Sequence, residues 1–492
     1  MILPILKNFH PAGPKQNEIS RKTKAQAATT FLTSPPIVSK KTDNFWSCGN
    51  EGMIDREPDI QAALLQHTSE ARLILEGAFV LPDGRGIDGE HTASMADGLI
   101  VLTDSDGREI FQGKNLLLSP AMPAESFFTV PDVTIGIDFH WQRVQKQSFR
   151  GSLFLSGQSP TAFHLINIVP LEEYLASVIS SEMSAGAPLE FLKAQAVTSR
   201  SWLVAMLDRK KTHGLPPPNR QDEISVWQDV NDHDGFDVCA DDHCQRYQGI
   251  SRIASENVAR AIGATRGVFL TSGDQICDAR YYKCCGGRTD VYATAWEDAS
   301  FPYLAGVADA DRPGAPITTE QDAAGWLRSR PDAFCNTADQ DLLQRILPSF
   351  DLETLNFYRW RVAYSRQELE QILRARSGID FGTLQNLEPL ARGPSGRIFR
   401  LKVVGSRRTV VVGKELEIRR WLSPSHLLSS AFVVSVERDP DGTAQNFLLE
   451  GGGWGHGVGL CQIGAAVMAV RGFRAEEILA HYFAGAQLRK LY

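Results

Sequence analysis

Glu182, a His/Cys cluster between His233 and Cys244, the pair Tyr281–Tyr282 and a glycine-rich run ending at Gly464 are the residues whose types and spacing point to chemistry. Glu182 lies eleven residues after Leu171. Leu171, Tyr174, Leu175, Val178 and Ile179 follow an i, i+3, i+4, i+7, i+8 pattern, and a continued helix puts Glu182 on the same stripe. A carboxyl group against apolar surface has its charged form disfavoured, and the C-terminal end of a helix dipole acts in the same direction. Those are the conditions of a general acid near neutral pH. The alternative is a frayed helix end with Glu182 in water. Glu172 and Glu173 fall off the stripe and are expected in solvent.

His233, Cys239, His243 and Cys244 fall within twelve residues. Two imidazoles and two thiolates suit a tetrahedral zinc ion, and four protein ligands make such a site structural. A local disulfide, a bridge to Cys284 or Cys285, and free thiols are the alternatives. A zinc hydrolase would need an open coordination position. In Tyr281-Tyr-Lys-Cys-Cys-Gly-Gly-Arg-Thr289 the two tyrosines suit stacking on a sugar face, and Gly286–Gly287 would let the backbone approach a ligand. A strand ending in a turn is the plainer reading of the same residues. The run from Gly451 to Gly464 lacks the Gly-Lys-Ser/Thr of a phosphate loop. It presents Trp454, His456 and Gln462, an indole, an imidazole and an amide that fit a polyhydroxylated ligand. A structural glycine turn leading into a helix is the alternative.

The elements that position these groups follow from the rest of the chain. Its 492 residues are 43% hydrophobic and 22% charged, enough for several globular domains. A net charge of −7 is a poor match for a polyanion, and no nucleic-acid partner is expected. The first fifty residues, rich in Lys, Ser, Thr and Pro, predict a disordered tail, and no clear export signal is read in them. Residues 51–165 show short apolar runs with Asp83-Gly84 and Asp106-Gly107 turns, a β-rich region. Residues 166–310 open with two helices, the second after Pro188 and extending to Met206, followed by a loop over Lys210–Arg220. Residues 311–415 read as an inserted α+β subdomain with a hairpin over 403–412. Residues 416–492 return to the first domain, with the glycine-rich loop and a helix near Ala475–Tyr482. The fold class predicted is α+β. Gly451–Val470 carries no charge, but its seven glycines, His456 and Gln462 make it a loop and helix rather than a membrane span. Cys48, Cys335 and Cys461 stand apart in sequence and are expected to be unreactive.

Several segments, in order, resemble the stage II sporulation protein D family, whose domain is shared with amidase-enhancer proteins. They are Val169-Pro-Leu-Glu-Glu-Tyr-Leu, Ser181-Glu-Met, Pro188 to Arg200, Cys244-Gln-Arg-Tyr-Gln-Gly249, Gly286-Gly-Arg-Thr289 and Trp454 to Gly464. The resemblance runs from about residue 60 to the end. It implies a lytic transglycosylase that cuts between N-acetylmuramic acid and N-acetylglucosamine without water, with Glu182 as the one acid. It further implies a zinc on His233, Cys239, His243 and Cys244, and substrate contacts from the matched motifs, Arg200 among them. Peptidoglycan glycan strands, and a cell-wall amidase in the alternative enhancer role, are the partners implied, with a place in the cell envelope. Cys284, Cys285 and Cys461 stand where many relatives of the family have serine.

Overall fold

The computed structural model describes residues 54–137, 142–209, 223–226, 233, 235–312 and 314–492. The tail expected over 1–50, Cys48, and the loop expected over Lys210–Arg220 lie outside the described residues. The chain is α+β with a β-rich N-terminal region. No helix among the described residues is long and apolar enough to cross a membrane.

Strands between Asp59 and Pro170 form one large sheet, paired almost throughout with antiparallel neighbours. Alternation sets the buried face. In Glu70–Val80, Ala71, Leu73, Leu75 and Phe79 turn inward while Glu70, Arg72, Glu76 and Gly77 stay exposed. The edge is extended by Val238–Cys239, which pairs in parallel with Ala62–Ala63. That short pairing carries the His/Cys cluster to the rim of the sheet.

The strand Ala162–Pro170 runs directly into helix α1 (Leu171–Glu182), whose backbone turns extended at Met183. Leu171, Tyr174, Leu175 and Val178 pack into the core of the sheet, whereas Ile179 and Met183 enter the neighbouring core. Helix α1 therefore spans two cores, and its last turn sits at their junction. Helix α2 (Leu189–Arg209) packs against α1 and against α3 (Glu256–Thr265). The Ser255 hydroxyl caps α3 by accepting the Asn257 N–H at 3.2 Å.

A third core gathers residues from Trp360 to Leu449. It extends past residue 415, where the sequence placed the end of the inserted subdomain. The cause is pairing: Ala444–Gly451 lies between Trp360–Ser365 and Phe432–Arg438 in one antiparallel sheet. The expected hairpin is present as Ile398–Gly405 against Thr409–Gly413.

Candidate functional site

Glu182 is the last residue of α1 and lines a cleft of about 660 Å³. Its Oε1 accepts the Arg246 N–H at 3.0 Å and the Tyr281 hydroxyl at 3.0 Å. Lys283 Nζ donates to the Glu182 carbonyl at 2.6 Å and pairs with Asp351 Oδ2 at 2.7 Å. Burial first, and then the Glu182 carboxylate, push the Tyr281 phenol well above its ordinary range, so it remains a donor. Sequence spacing predicted apolar surface around Glu182; the structure gives it hydrogen-bond donors and a lysine instead. The apolar contacts of the stripe end with Ile179 and Met183, and Glu182 projects beyond them into the cleft.

Two motifs far apart in sequence meet across this cleft. Tyr281–Tyr282 pairs in parallel with Leu460–Cys461, and Cys284 bridges to Trp454. Trp454, His456 and Gln462 thereby line the same cleft as Tyr281 and Tyr282. The His456 ring is held on both sides: Nδ1 accepts the Val458 N–H at 3.1 Å and Nε2 lies 2.9 Å from the Tyr281 carbonyl. An acceptor at Nδ1 and a carbonyl at Nε2 fix the neutral tautomer with its proton on Nε2. Burial first, then Arg280 and Arg397, hold its pKa well below the histidine range. The glycines of this loop are needed for close approach. A Cβ at Gly459, where φ is +83°, would fall 2.1 Å from the Arg280 carbonyl oxygen.

The His/Cys cluster borders the cleft. Ligand-type atoms of His233, Cys239, His243 and Cys244 all lie within 4.8 Å of one another. His233 Nε2 is 3.0 Å from Cys244 Sγ, and His243 Nδ1 is 3.6 Å from Cys244 Sγ and 3.9 Å from Cys239 Sγ. A tetrahedral zinc site separates nitrogen and sulfur ligands by roughly 3.5 Å, so the donor set fits that ion. The hydrogen bond from Cys244, ahead of those from the two histidines and against burial, brings the Cys239 thiol down to about 2. The described cysteines form no disulfide. Four protein donors leave no open position of the kind a zinc hydrolase needs.

Three expected contacts are placed elsewhere. Arg200 is fully buried and does not line the cleft. Its guanidinium grips Glu172, Nη2 to Oε2 at 2.6 Å and Nε to Oε1 at 3.0 Å. Glu172, expected in solvent, is 4% exposed because α2 supplies this partner. Gly286 and Gly287 serve packing rather than a ligand: a Cβ would meet Gly453 N at 2.9 Å from the first, and Trp326 and the Tyr358 hydroxyl at 3.0 Å from the second.

Other cleft residues were not singled out from sequence. Trp296 stacks edge-on to His456 at 4.8 Å, with the Arg280 guanidinium 4.0 Å from its ring centre. Arg376, Arg419 and Arg420 form a basic wall contributed by the third-core region, with Glu415 paired to Arg419; burial first, then these arginines, bring His426 down to about 3, so it is neutral there. A helix with paired arginines at its end reads as an ordinary charged surface, so only the tertiary arrangement reveals the wall. Arg246 lay inside a quoted motif; its main-chain amide donates to Glu182, and its guanidinium pairs with Asp242 and Asp351.

A family profile described as Stage II sporulation protein matches residues 159–272, and one described as a domain of unknown function matches residues 290–459. The chain is 22% identical over 329 residues to Stage II sporulation protein D of Bacillus subtilis (strain 168), covering 67% of this chain and 77% of that protein. It is 23% identical over 330 residues to Stage II sporulation protein D of Bacillus amyloliquefaciens, covering 67% and 76%. It is 24% identical over 326 residues to the Amidase enhancer of Bacillus subtilis (strain 168), covering 64% of this chain and 40% of that protein.

Proposed function

We propose, for a chain that belongs to the stage II sporulation protein D and amidase-enhancer family, that it cleaves peptidoglycan glycan strands between N-acetylmuramic acid and N-acetylglucosamine without water. The relatives support a cell-wall-related function and a place in the cell envelope. The observation that carries the finer reading is the hold on Glu182, whose Oε1 accepts from Arg246 N and Tyr281 Oη inside a cleft walled by tyrosines and tryptophans.

With Oε1 occupied by two donors, a proton on this carboxyl group sits on Oε2. Glu182 gives that proton to the glycosidic oxygen as the bond from muramic C1 to that oxygen breaks. The carboxylate left behind takes the proton of the muramic C6 hydroxyl as its oxygen bonds to C1. A 1,6-anhydro ring closes, Glu182 is again protonated, and no water is consumed. One carboxyl group serves both transfers, unlike the carboxyl pair of a glycoside hydrolase. Trp454, Tyr281 and Tyr282 offer faces for the sugars, and His456, neutral and fixed, ties the loop that carries Trp454 to the Tyr281 carbonyl.

His233, Cys239, His243 and Cys244 would hold a zinc ion, which when bound supplies a structural cross-link. Cys244 lies two residues before Arg246, so the same segment that would bind the ion delivers the amide to Glu182. The test is incubation of the purified protein with sacculi, followed by mass spectrometry of the released glycan. Anhydro-muramic ends from wild type, absent with Glu182→Gln, are expected. Their absence from wild type, or their equal formation by Glu182→Gln, overturns the reading.

A second reading is favoured by the similarity to the Amidase enhancer. In it the cleft binds glycan for a separate amidase and cuts nothing. Sedimentation with insoluble peptidoglycan that survives Glu182→Gln, with no anhydro ends from wild type, selects it. Loss of sedimentation in Trp454→Ala would assign the glycan to this cleft under either reading.

A further inference from the structure

Behind the cleft, four separate stretches of chain bring a second set of metal-type donors together. Cys285 follows the Tyr281–Tyr282 strand, Asp309 and Cys335 lie on either side of the helix Glu320–Arg328, and Cys461 precedes the helix Gln462–Val470. Ligand-type atoms of these four residues all lie within 4.8 Å of one another, and all four residues are buried. Cys335 and Cys461 were expected to stand apart; folding makes them neighbours. We propose that Cys285, Asp309, Cys335 and Cys461 bind a second metal ion, of the zinc class, in a closed structural site.

The donors are already arranged as acceptors. Cys461 Sγ accepts the Cys285 N–H at 3.2 Å, and Cys285 Sγ accepts the Gly287 N–H at 3.2 Å. The Asp309 carboxylate accepts the Cys335 N–H at 2.8 Å and the Tyr482 hydroxyl. Such outer hydrogen bonds orient metal ligands and support their charged forms. Asp309 is 0% exposed and, among the described residues, forms no ion pair. An ionised Asp309 carboxylate in this core is costly without a cation, and a divalent ion answers that cost.

Spacing selects one ion rather than a cluster or a disulfide. Tetrahedral zinc holds its sulfurs roughly 3.8 Å apart. Cys285 Sγ and Cys335 Sγ are 3.4 Å apart, nearer to that edge than to a covalent bond. An iron–sulfur cluster spreads its ligands around several metal atoms, and donors this close leave no room for one. A disulfide would join two of the residues and leave Cys461 and Asp309 uncompensated. Three thiolates with one carboxylate suit zinc by ligand type. Room is kept by Gly464, where a Cβ would fall 2.3 Å from Asp309 Oδ1. The ion would tie Cys285 to Cys461, the two ends of the paired motifs that form the cleft floor.

The experiment is metal content by mass spectrometry on the full chain, purified under reducing conditions from zinc-supplemented medium. His233→Ala/His243→Ala removes two ligands of the cluster at the cleft and leaves the buried set intact. About one zinc per chain retained in that variant is the expected result. No zinc above background in it, or a wild-type mass lowered by two hydrogens through a Cys285–Cys335 bond, overturns the proposal. If that variant does not fold, X-ray absorption on wild type decides. An average of more than two sulfurs per zinc requires the buried set, and an average of two excludes it.

Discussion

Glu172 and Glu182 occupy opposite ends of the same twelve-residue helix, and their surroundings differ as much as their positions. Glu172 is enclosed between α1 and α2, with both carboxylate oxygens on the Arg200 guanidinium and further bonds to Oε1 from Gly267 N at 3.1 Å and Tyr492 Oη at 2.7 Å. Glu182 has neutral donors on one oxygen and an open cleft before it. The Glu172 carboxylate is filled by protein donors and has no room for a ligand, whereas Glu182 keeps Oε2 toward the cleft. The helix thus holds one acid locked in an ion pair and, about three turns on, another that faces the cleft.

The sharpest way to break this contrast is Glu182→Gln. The amide keeps the shape, and formation of anhydro ends should fall by about 10²–10⁴-fold. Its unfolding free energy should stay within about 0.5 kcal/mol of wild type by urea denaturation. Arg200→Met tests the other end. Leaving Glu172 charged, buried and unpaired should cost about 3–5 kcal/mol, and adding Glu172→Gln should recover part of that loss. A stable Arg200→Met protein with impaired glycan binding would return Arg200 to the cleft.

Tyr281→Phe removes one donor from Glu182 and no ring. One hydrogen bond to a charged group is worth about 1.5 kcal/mol, so activity should drop about tenfold with sedimentation on peptidoglycan unchanged. The smallest effect concerns His456. Its folded pKa lies below the unfolded value of about 6.5. The stability its neutral form contributes is therefore complete above that pH and is lost as pH falls through it. Denaturation midpoints measured from pH 7 to pH 5 should decline for wild type and decline less for His456→Gln.

Local order was readable in the sequence. The periodicity from Leu171 marked α1, Pro188 marked the start of α2, and the clustering of His233, Cys239, His243 and Cys244 reflects one short segment folding on itself. Glu172 was misplaced because its partner Arg200 lies on another helix, and a buried ion pair has no periodic signature. The basic wall of Arg376, Arg419 and Arg420 was hidden for a related reason: charges on helices in a separate core look solvated until that core is docked. The second donor set was least legible of all, since Cys285, Asp309, Cys335 and Cys461 belong to four segments with no common spacing.

The parallel pairing of Tyr281–Tyr282 with Leu460–Cys461 has a consequence for biosynthesis. Helix α1 and its acid emerge from the ribosome early, yet the strand that completes their setting is made only after the whole intervening third core. Closing so long a loop is slow relative to forming helices and hairpins. A chain ending before Leu460 would carry Glu182 without the strand that completes its cleft floor.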